Sequence, residues 1–276
     1  MVSQEQRRRQ LAREKFLRQQ QRRTESRRKS RLRNSAIASV LGVVVIGSVA
    51  LYTTGVLKND DDKKSDTSAQ STPSASPTSK APDPCAKPAA GSVKKETFAK
   101  EPAMSIDTSA KYTLKLDTTC GAIGVAMKAS AAPHTVNSFN FLAGKGYFDH
   151  TKCHRLVTSG IYVLQCGDPS ATGSGDPGYK FKDENLKDKS LKNNVYPAGT
   201  VAMANSGANT NGSQFFLVYQ DSQLPPNYTP FGTVDAAGMK VLQKIAKAGA
   251  QPADATTGNT APNATVVINK ATVTKS

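Results

Sequence analysis

The run Val201-Ala202-Met203-Ala204-Asn205-Ser206-Gly207-Ala208-Asn209-Thr210-Asn211-Gly212-Ser213-Gln214-Phe215-Phe216 decides the fold. Its ends are apolar and strand-like, at Thr200 to Ala204 and Phe215 to Val218. Between them stand three asparagines, a glutamine, hydroxyl side chains and two glycines. Hydrophobic core has no use for so many amides, and a solvated loop has none for Phe-Phe. Polar groups held between two buried strands suit the wall of a binding site.

Working outward, Lys111 to Leu116 and Gly121 to Met127 flank a short turn and read as a hairpin. Pro133 opens a helix, where its missing N–H costs nothing. Val136, Phe139, Leu142 and Ala143 form the buried stripe of that helix, and Gly144 and Gly146 end it. Lys152 to Val157 and Tyr162 to Cys166 make a second hairpin, with Val157 expected opposite Tyr162. Phe231 to Val234 is another strand, Met239 to Ile245 marks a second helix, and Ala264 to Val273 is the last strand. Many short strands, two helices and no βαβ alternation predict an antiparallel barrel or sandwich with helical caps. About 169 residues, 108–276, are enough for one core.

The chain of 276 residues carries a formal charge of +16, and residues 1–33 hold +10 of it in 13 Lys/Arg and three Glu. The basicity therefore belongs to a tail, 1–35, whose arginines have one aromatic neighbour, Phe16; this disfavours a nucleic-acid partner. Residues 36–57 follow without a charge, long enough to cross a bilayer, and Asp60, Asp61 and Asp62 lie just beyond. Positive flanks stay cytoplasmic, so a signal anchor would leave everything after Leu57 outside the cell membrane. A cleaved signal peptide is the alternative, but no cleavage site is evident. Residues 58–107 are rich in Ser, Thr, Pro and Ala and read as a disordered or extended spacer.

No Walker A motif, HExxH, GxSxG or CxxC is present, and His134, His150 and His154 lack a metal-ligand spacing. The run quoted at the outset, together with Cys153-His154-Arg155-Leu156 and Leu164-Gln165-Cys166-Gly167-Asp168, resembles the cyclophilin family of peptidyl-prolyl cis–trans isomerases. The likeness extends over about 110–275 and includes Phe139-Asn140-Phe141-Leu142, Gly146-Tyr147-Phe148, Phe181 to Asn185 and Pro230-Phe231-Gly232. The anchor-like segment marks it as similar to a bacterial, membrane-anchored member. The resemblance implies a mainly β fold, a closed eight-stranded antiparallel barrel capped by two α-helices. It also implies a monomeric catalytic domain without cofactor or metal, acting on proline-containing segments of exported or cell-envelope proteins, with residues 36–57 in the lipid bilayer.

By that likeness Arg155 matches the catalytic arginine, and Gln165 and Asn205 match contacts to the substrate backbone. Phe216, Val163 and Leu224 match the proline pocket, and Ala204 and Ser206 line the neighbouring groove. Counting back from Gln165 puts Tyr162 at a pocket phenylalanine, with Ile161 as the alternative. Tyr228 replaces a frequent pocket histidine, and Gln223 stands where a tryptophan is common. Such a wall leaves open a non-catalytic module that binds proline segments or serves as a chaperone.

An extracytoplasmic domain allows its cysteines to oxidise. The expected hairpin register sets Cys153 opposite Cys166, close enough to bridge, and leaves Cys85 with Cys120. Four free thiols are the alternative.

Overall fold

The computed structural model describes residues 82–255 and 258–276. The basic tail, the candidate span 36–57 and spacer residues 58–81 lie outside them. Among the described residues no helix is long and apolar enough to cross a membrane.

Strand β1 (Tyr112–Thr118) alternates buried Leu114 and Leu116 with outward Lys115, as period-2 side chains on a half-buried strand must. It pairs with β2 (Gly121–Met127) from Tyr112↔Met127 to Thr118↔Gly121. Helix α1 (Pro133–Gly144) begins on its proline. Its N-terminal amides are satisfied from far along the chain: the Glu184 carboxylate accepts from His134 N at 3.0 Å and Thr135 N at 2.9 Å. A carboxylate at that end also complements the helix dipole. Val136, Phe139 and Leu142 are fully buried. Phe139 lies 5.2 Å from Phe148, 5.3 Å from Phe215 and 4.5 Å from Phe231, ring centre to ring centre, at the middle of the main core.

The remaining elements are β3 (Thr151–Lys152), β4 (Arg155–Ser159), β5 (Ile161–Cys166), β6 (Val195–Tyr196), β7 (Thr200–Met203), β8 (Phe215–Val218), β9 (Ser222–Gln223), β10 (Pro230–Val234), α2 (Ala236–Ala248) and β11 (Val267–Lys275). Asp235 caps α2 by accepting from Gly238 N at 2.6 Å. The strands form one nine-stranded antiparallel sheet, in the order β3-β11-β1-β2-β10-β7-β8-β5-β4, and a separate β6-β9 pair.

The architecture is mainly β, a curled antiparallel sheet with two helices. It differs from the expected closed eight-stranded barrel in strand count, and no strand pairing joins β3 to β4 among the described residues. Those two end strands are nonetheless separated in sequence only by Cys153 and His154, so chain connectivity brings the ends of the sheet near each other.

The β4-β5 register corrects the expectation by one residue. Val157 pairs with Val163, not Tyr162, and Arg155 with Gln165. The cause is a tight turn at Gly160, whose φ of 77° lies in the left-handed region that glycine enters freely. Cys153 nevertheless bonds Cys166, since Cys153 lies beyond the end of the β4 ladder and is not bound by its register. The second disulfide joins Cys85 to Cys120.

Residues 82–107 contain no helix or strand, yet they are fastened along the domain as a strap. Ala86 N donates to Thr119 O at 2.9 Å, Ala89 N to Asn269 Oδ1 at 3.0 Å and Lys94 Nζ to Lys145 O at 2.8 Å. The fully buried Asn137 of α1 commits its whole side chain to the strap. Its amide donates to Pro102 O and Ala103 O at 3.2 and 3.1 Å, and its oxygen accepts from Ser105 N and Oγ, each at 3.0 Å. The described part of the spacer is thus extended but not free.

Candidate active site

Strands β7, β8 and β5 lie side by side, and alternation sorts their residues between two apolar clusters. Val201, Met203, Phe215, Leu217, Leu164 and Cys166 enter the main core. Ala202, Phe216, Val218 and Val163 face the other way, with Val157, Ile161 and Ala204 beside them. One cross-strand row therefore runs Arg155↔Gln165↔Phe216↔Ala202 over four neighbouring strands. A cation, an amide, an aromatic ring and a small residue stand next to each other because the ladder register puts them there.

Loops complete the apolar end. Leu191, Tyr196, Leu224 and Tyr228 belong to the same cluster as Phe216 and Val163. The Phe216 and Tyr228 rings meet edge to face, 5.5 Å apart at 84°. Fully buried Tyr196 ties the rim: its hydroxyl donates to Tyr228 O at 2.9 Å. Phe216, Val163, Leu224 and Tyr228 are thus together in one cluster. Tyr162 is not with them. It sits on the opposite face of β5 from Val163 and packs 5.9 Å from Tyr219; Ile161, in phase with Val163, joins the cluster instead.

At the polar end a relay of side chains leads away from Arg155. Its Nη1 donates to Gln165 Oε1 at 3.2 Å, Gln165 Nε2 donates to Gln214 Oε1 at 2.9 Å, and Gln214 Nε2 donates to Gly175 O at 2.9 Å. Each donor in the relay meets an acceptor in turn, which fixes both amide orientations and holds the half-buried guanidinium. Gln165, Ala204, Asn205, Ser206, Gln214 and Lys180 line a cavity of about 160 Å³ beside the apolar cluster. Asn205 braces its own loop, donating to Asn227 O at 2.8 Å and accepting from Gly207 N at 3.2 Å.

Asp168, fully buried, organises the loop that forms the far wall of this cavity. Its carboxylate accepts from Ser170 N and Oγ, both at 2.7 Å, from Thr172 N at 3.1 Å and from Gly173 N at 2.6 Å. Burial would raise its pKa, but the Ser170 bonds and the loop amides outweigh burial and hold it below the usual carboxylate value. His154, next to Arg155, is buried, and neither ring nitrogen has a hydrogen-bond partner among the described residues. Burial lowers its pKa, and Arg155 adds to this against the pull of Asp168.

Sequence reasoning passed over Gln214, Tyr196 and Asp168 as site residues. Gln214 was findable, two positions before Phe216 and so in phase with it. Tyr196 carries no local signal, since tertiary packing alone brings it in. Among the described residues no group of three His, Cys, Asp or Glu could hold a metal ion.

The sheet carries an arginine–glutamine relay beside a cluster of aromatic and apolar side chains, and the chain has clear relatives. The family model described as "Cyclophilin type peptidyl-prolyl cis-trans isomerase/CLD" matches residues 113–273. The chain belongs to this family. It is 52% identical over 166 residues to "Probable peptidyl-prolyl cis-trans isomerase B" of Mycobacterium leprae, covering 57% of this chain and 55% of that protein. The Mycobacterium tuberculosis protein of the same name is 51% identical over 148 residues, covering 51% of this chain and 48% of that one. The chain thus matches about half the length of these relatives. "Peptidyl-prolyl cis-trans isomerase cypE" of Dictyostelium discoideum is 40% identical over 139 residues, 49% of this chain and 85% of that protein. A solved Cryptosporidium parvum cyclophilin type peptidyl-prolyl cis-trans isomerase aligns with a TM-score of 0.48 and 27% identity, covering 59% of this chain and 98% of that one.

Proposed function

We propose that this chain accelerates cis–trans isomerisation of X–Pro bonds in proline-containing segments of exported or cell-envelope proteins. The observation that carries the reading is the row Arg155–Gln165–Phe216, which sets a fixed cation beside an apolar cluster. The barrier to X–Pro rotation, ~20 kcal/mol, arises from amide resonance, and no bond need be broken to cross it. Twisting the bond localises a lone pair on the prolyl nitrogen. A donor aimed at that position binds the twisted state more strongly than either planar isomer, and this difference is catalysis.

In this reading Phe216, Val163, Leu224 and Tyr228 hold the proline ring. Arg155 donates to the prolyl nitrogen in the twisted state, and Gln165 keeps the guanidinium oriented. Ala204, Asn205 and Ser206 receive the adjoining peptide. A preorganised donor of this kind contributes roughly a hundredfold in rate.

The uncharged segment 36–57 behind an arginine-rich tail supports a single-pass anchor in the cell membrane, with a monomeric domain outside. Two disulfides suit such an oxidising compartment. The test is turnover of a Pro-containing reporter peptide by the full chain and by Arg155→Ala. Loss of about a hundredfold in kcat/KM with peptide binding retained supports the mechanism; undiminished turnover refutes it. Binding by the parent without rate enhancement would instead identify a proline-segment binding module. Protease added to intact cells should remove the domain, and full protection would overturn the topology.

A further inference from the structure

We infer that the strap, residues 82–107, is a working part of the substrate groove and that Phe98 is its positioning residue. The inference rests on the groove assignment proposed above. The strap precedes the family-matched residues 113–273, so nothing in that match assigns it a role.

The far wall of the 160 Å³ cavity is built from Gly173, Ser174, Gly175, Asp176 and Lys180. On its inner side, Gly175 O accepts from Gln214 Nε2 at 2.9 Å, the end of the relay from Arg155. Two residues on, and next to Asp176 of the wall, Pro177 O accepts from Phe98 N at 2.8 Å. The wall loop is therefore held by the relay and by the strap through backbone carbonyls two residues apart.

The contact around Phe98 is close. A Cβ added to Gly178 would lie 2.7 Å from Phe98 O, 2.9 Å from Phe98 N and 3.1 Å from Thr97 Cβ. Strap backbone rests directly on wall backbone, at a position that glycine alone leaves open. Phe98 is then pinned to α1 by its ring, which meets Phe141 edge to face at 4.9 Å. The four bonds from Asn137 hold the next turn of the strap, and the Cys85–Cys120 disulfide holds its start. An element clamped at both ends and seated against the loop that continues a groove wall fixes where that wall stands.

A peptide long enough to reach the wall should therefore depend on Phe98, whereas a minimal X–Pro substrate confined to the Phe216 pocket should not. In the full chain, Phe98→Ala is expected to raise KM for the long peptide roughly tenfold, with kcat within about twofold and the short substrate unaffected. Phe98→Leu, which keeps an apolar anchor, should recover most of the loss. Amide hydrogen exchange at 173–180 should quicken in Phe98→Ala. Equal changes for both substrates, or unchanged exchange in the wall, would overturn the inference. Fluorescence anisotropy with the same labelled peptide reads the effect as affinity without turnover. A parent chain that binds but does not isomerise would refute the proposed activity, and the anisotropy comparison would still support or overturn the role of Phe98.

Discussion

Tyr196 and Tyr228 are held together by a reciprocal pair of bonds. The Tyr196 hydroxyl donates to Tyr228 O at 2.9 Å and accepts from Tyr228 N at 3.3 Å. One buried hydroxyl thereby fixes the backbone from which a pocket-wall ring projects.

Tyr196→Phe keeps the ring and removes both bonds. The expected cost is about 1 to 2 kcal/mol, because the Tyr228 carbonyl loses a partner in a part-buried site. Urea unfolding measures the loss. Peptide KM should rise with it, since Tyr228 packs on Phe216; unchanged KM would show that the rim does not touch substrate.

Asp168 should make the fold acid-sensitive. Its folded pKa is depressed below the ordinary 3.8, so its contribution is present above that value and lost as pH falls through the lower folded one. Asp168→Asn sets an amide N–H against backbone donors that the carboxylate accepts. Urea titrations should show the variant less stable at neutral pH, with the gap narrowing as pH falls below the ordinary 3.8.

His154 acts in a separate window. Its folded pKa lies below the ordinary 6.5, so the unfolded chain takes up a proton there before the folded one does. Stability is full above pH 6.5 and declines as pH falls from that value toward the folded pKa. Replacement by leucine, in His154→Leu, removes the titration from a site where neither ring nitrogen has a partner. The variant's stability should be flat from about pH 6.5 down to the onset of carboxylate protonation.

Each disulfide should contribute about 3 to 4 kcal/mol by closing loops of 13 and 35 residues' separation. Cys85→Ser is expected to expose the strap to limited proteolysis while the remaining sheet stays resistant. Cys153→Ser should instead lower the midpoint of unfolding for the domain as a whole. Equal protease patterns in the two variants would contradict this division.

Local pattern made much of this legible. The α1 stripe, the β1-β2 hairpin and the strands on either side of the 204–214 loop follow from periodicity and turn residues. The β4-β5 hairpin shows where pattern stops. Whether a turn centres on Gly160 or spans more residues depends on backbone geometry, and one residue of difference re-paired every residue of β4 with β5. Tyr162 is a separate miss, since alternation along β5 sets it opposite Val163 and Gln165 and leaves Ile161 in phase with them. The Cys153–Cys166 bond forms all the same, although the register from which it was expected does not. The strap was illegible for another reason. Its Ser/Pro/Ala composition offers little to bury, and what binds it is a set of backbone groups read by Asn137, which leave no trace in hydropathy.

The ends of the nine-stranded sheet have a consequence for the company this chain keeps. In the proposed function the chain would work among incompletely folded polypeptides, whose free strands seek any unpaired ladder to extend. Here one end strand is two residues long. The other has Leu156 engaged on both backbone groups by Thr260, at 2.8 and 2.6 Å. Little template remains for a foreign strand to add to, so the ends of the sheet are guarded against edge-to-edge recruitment.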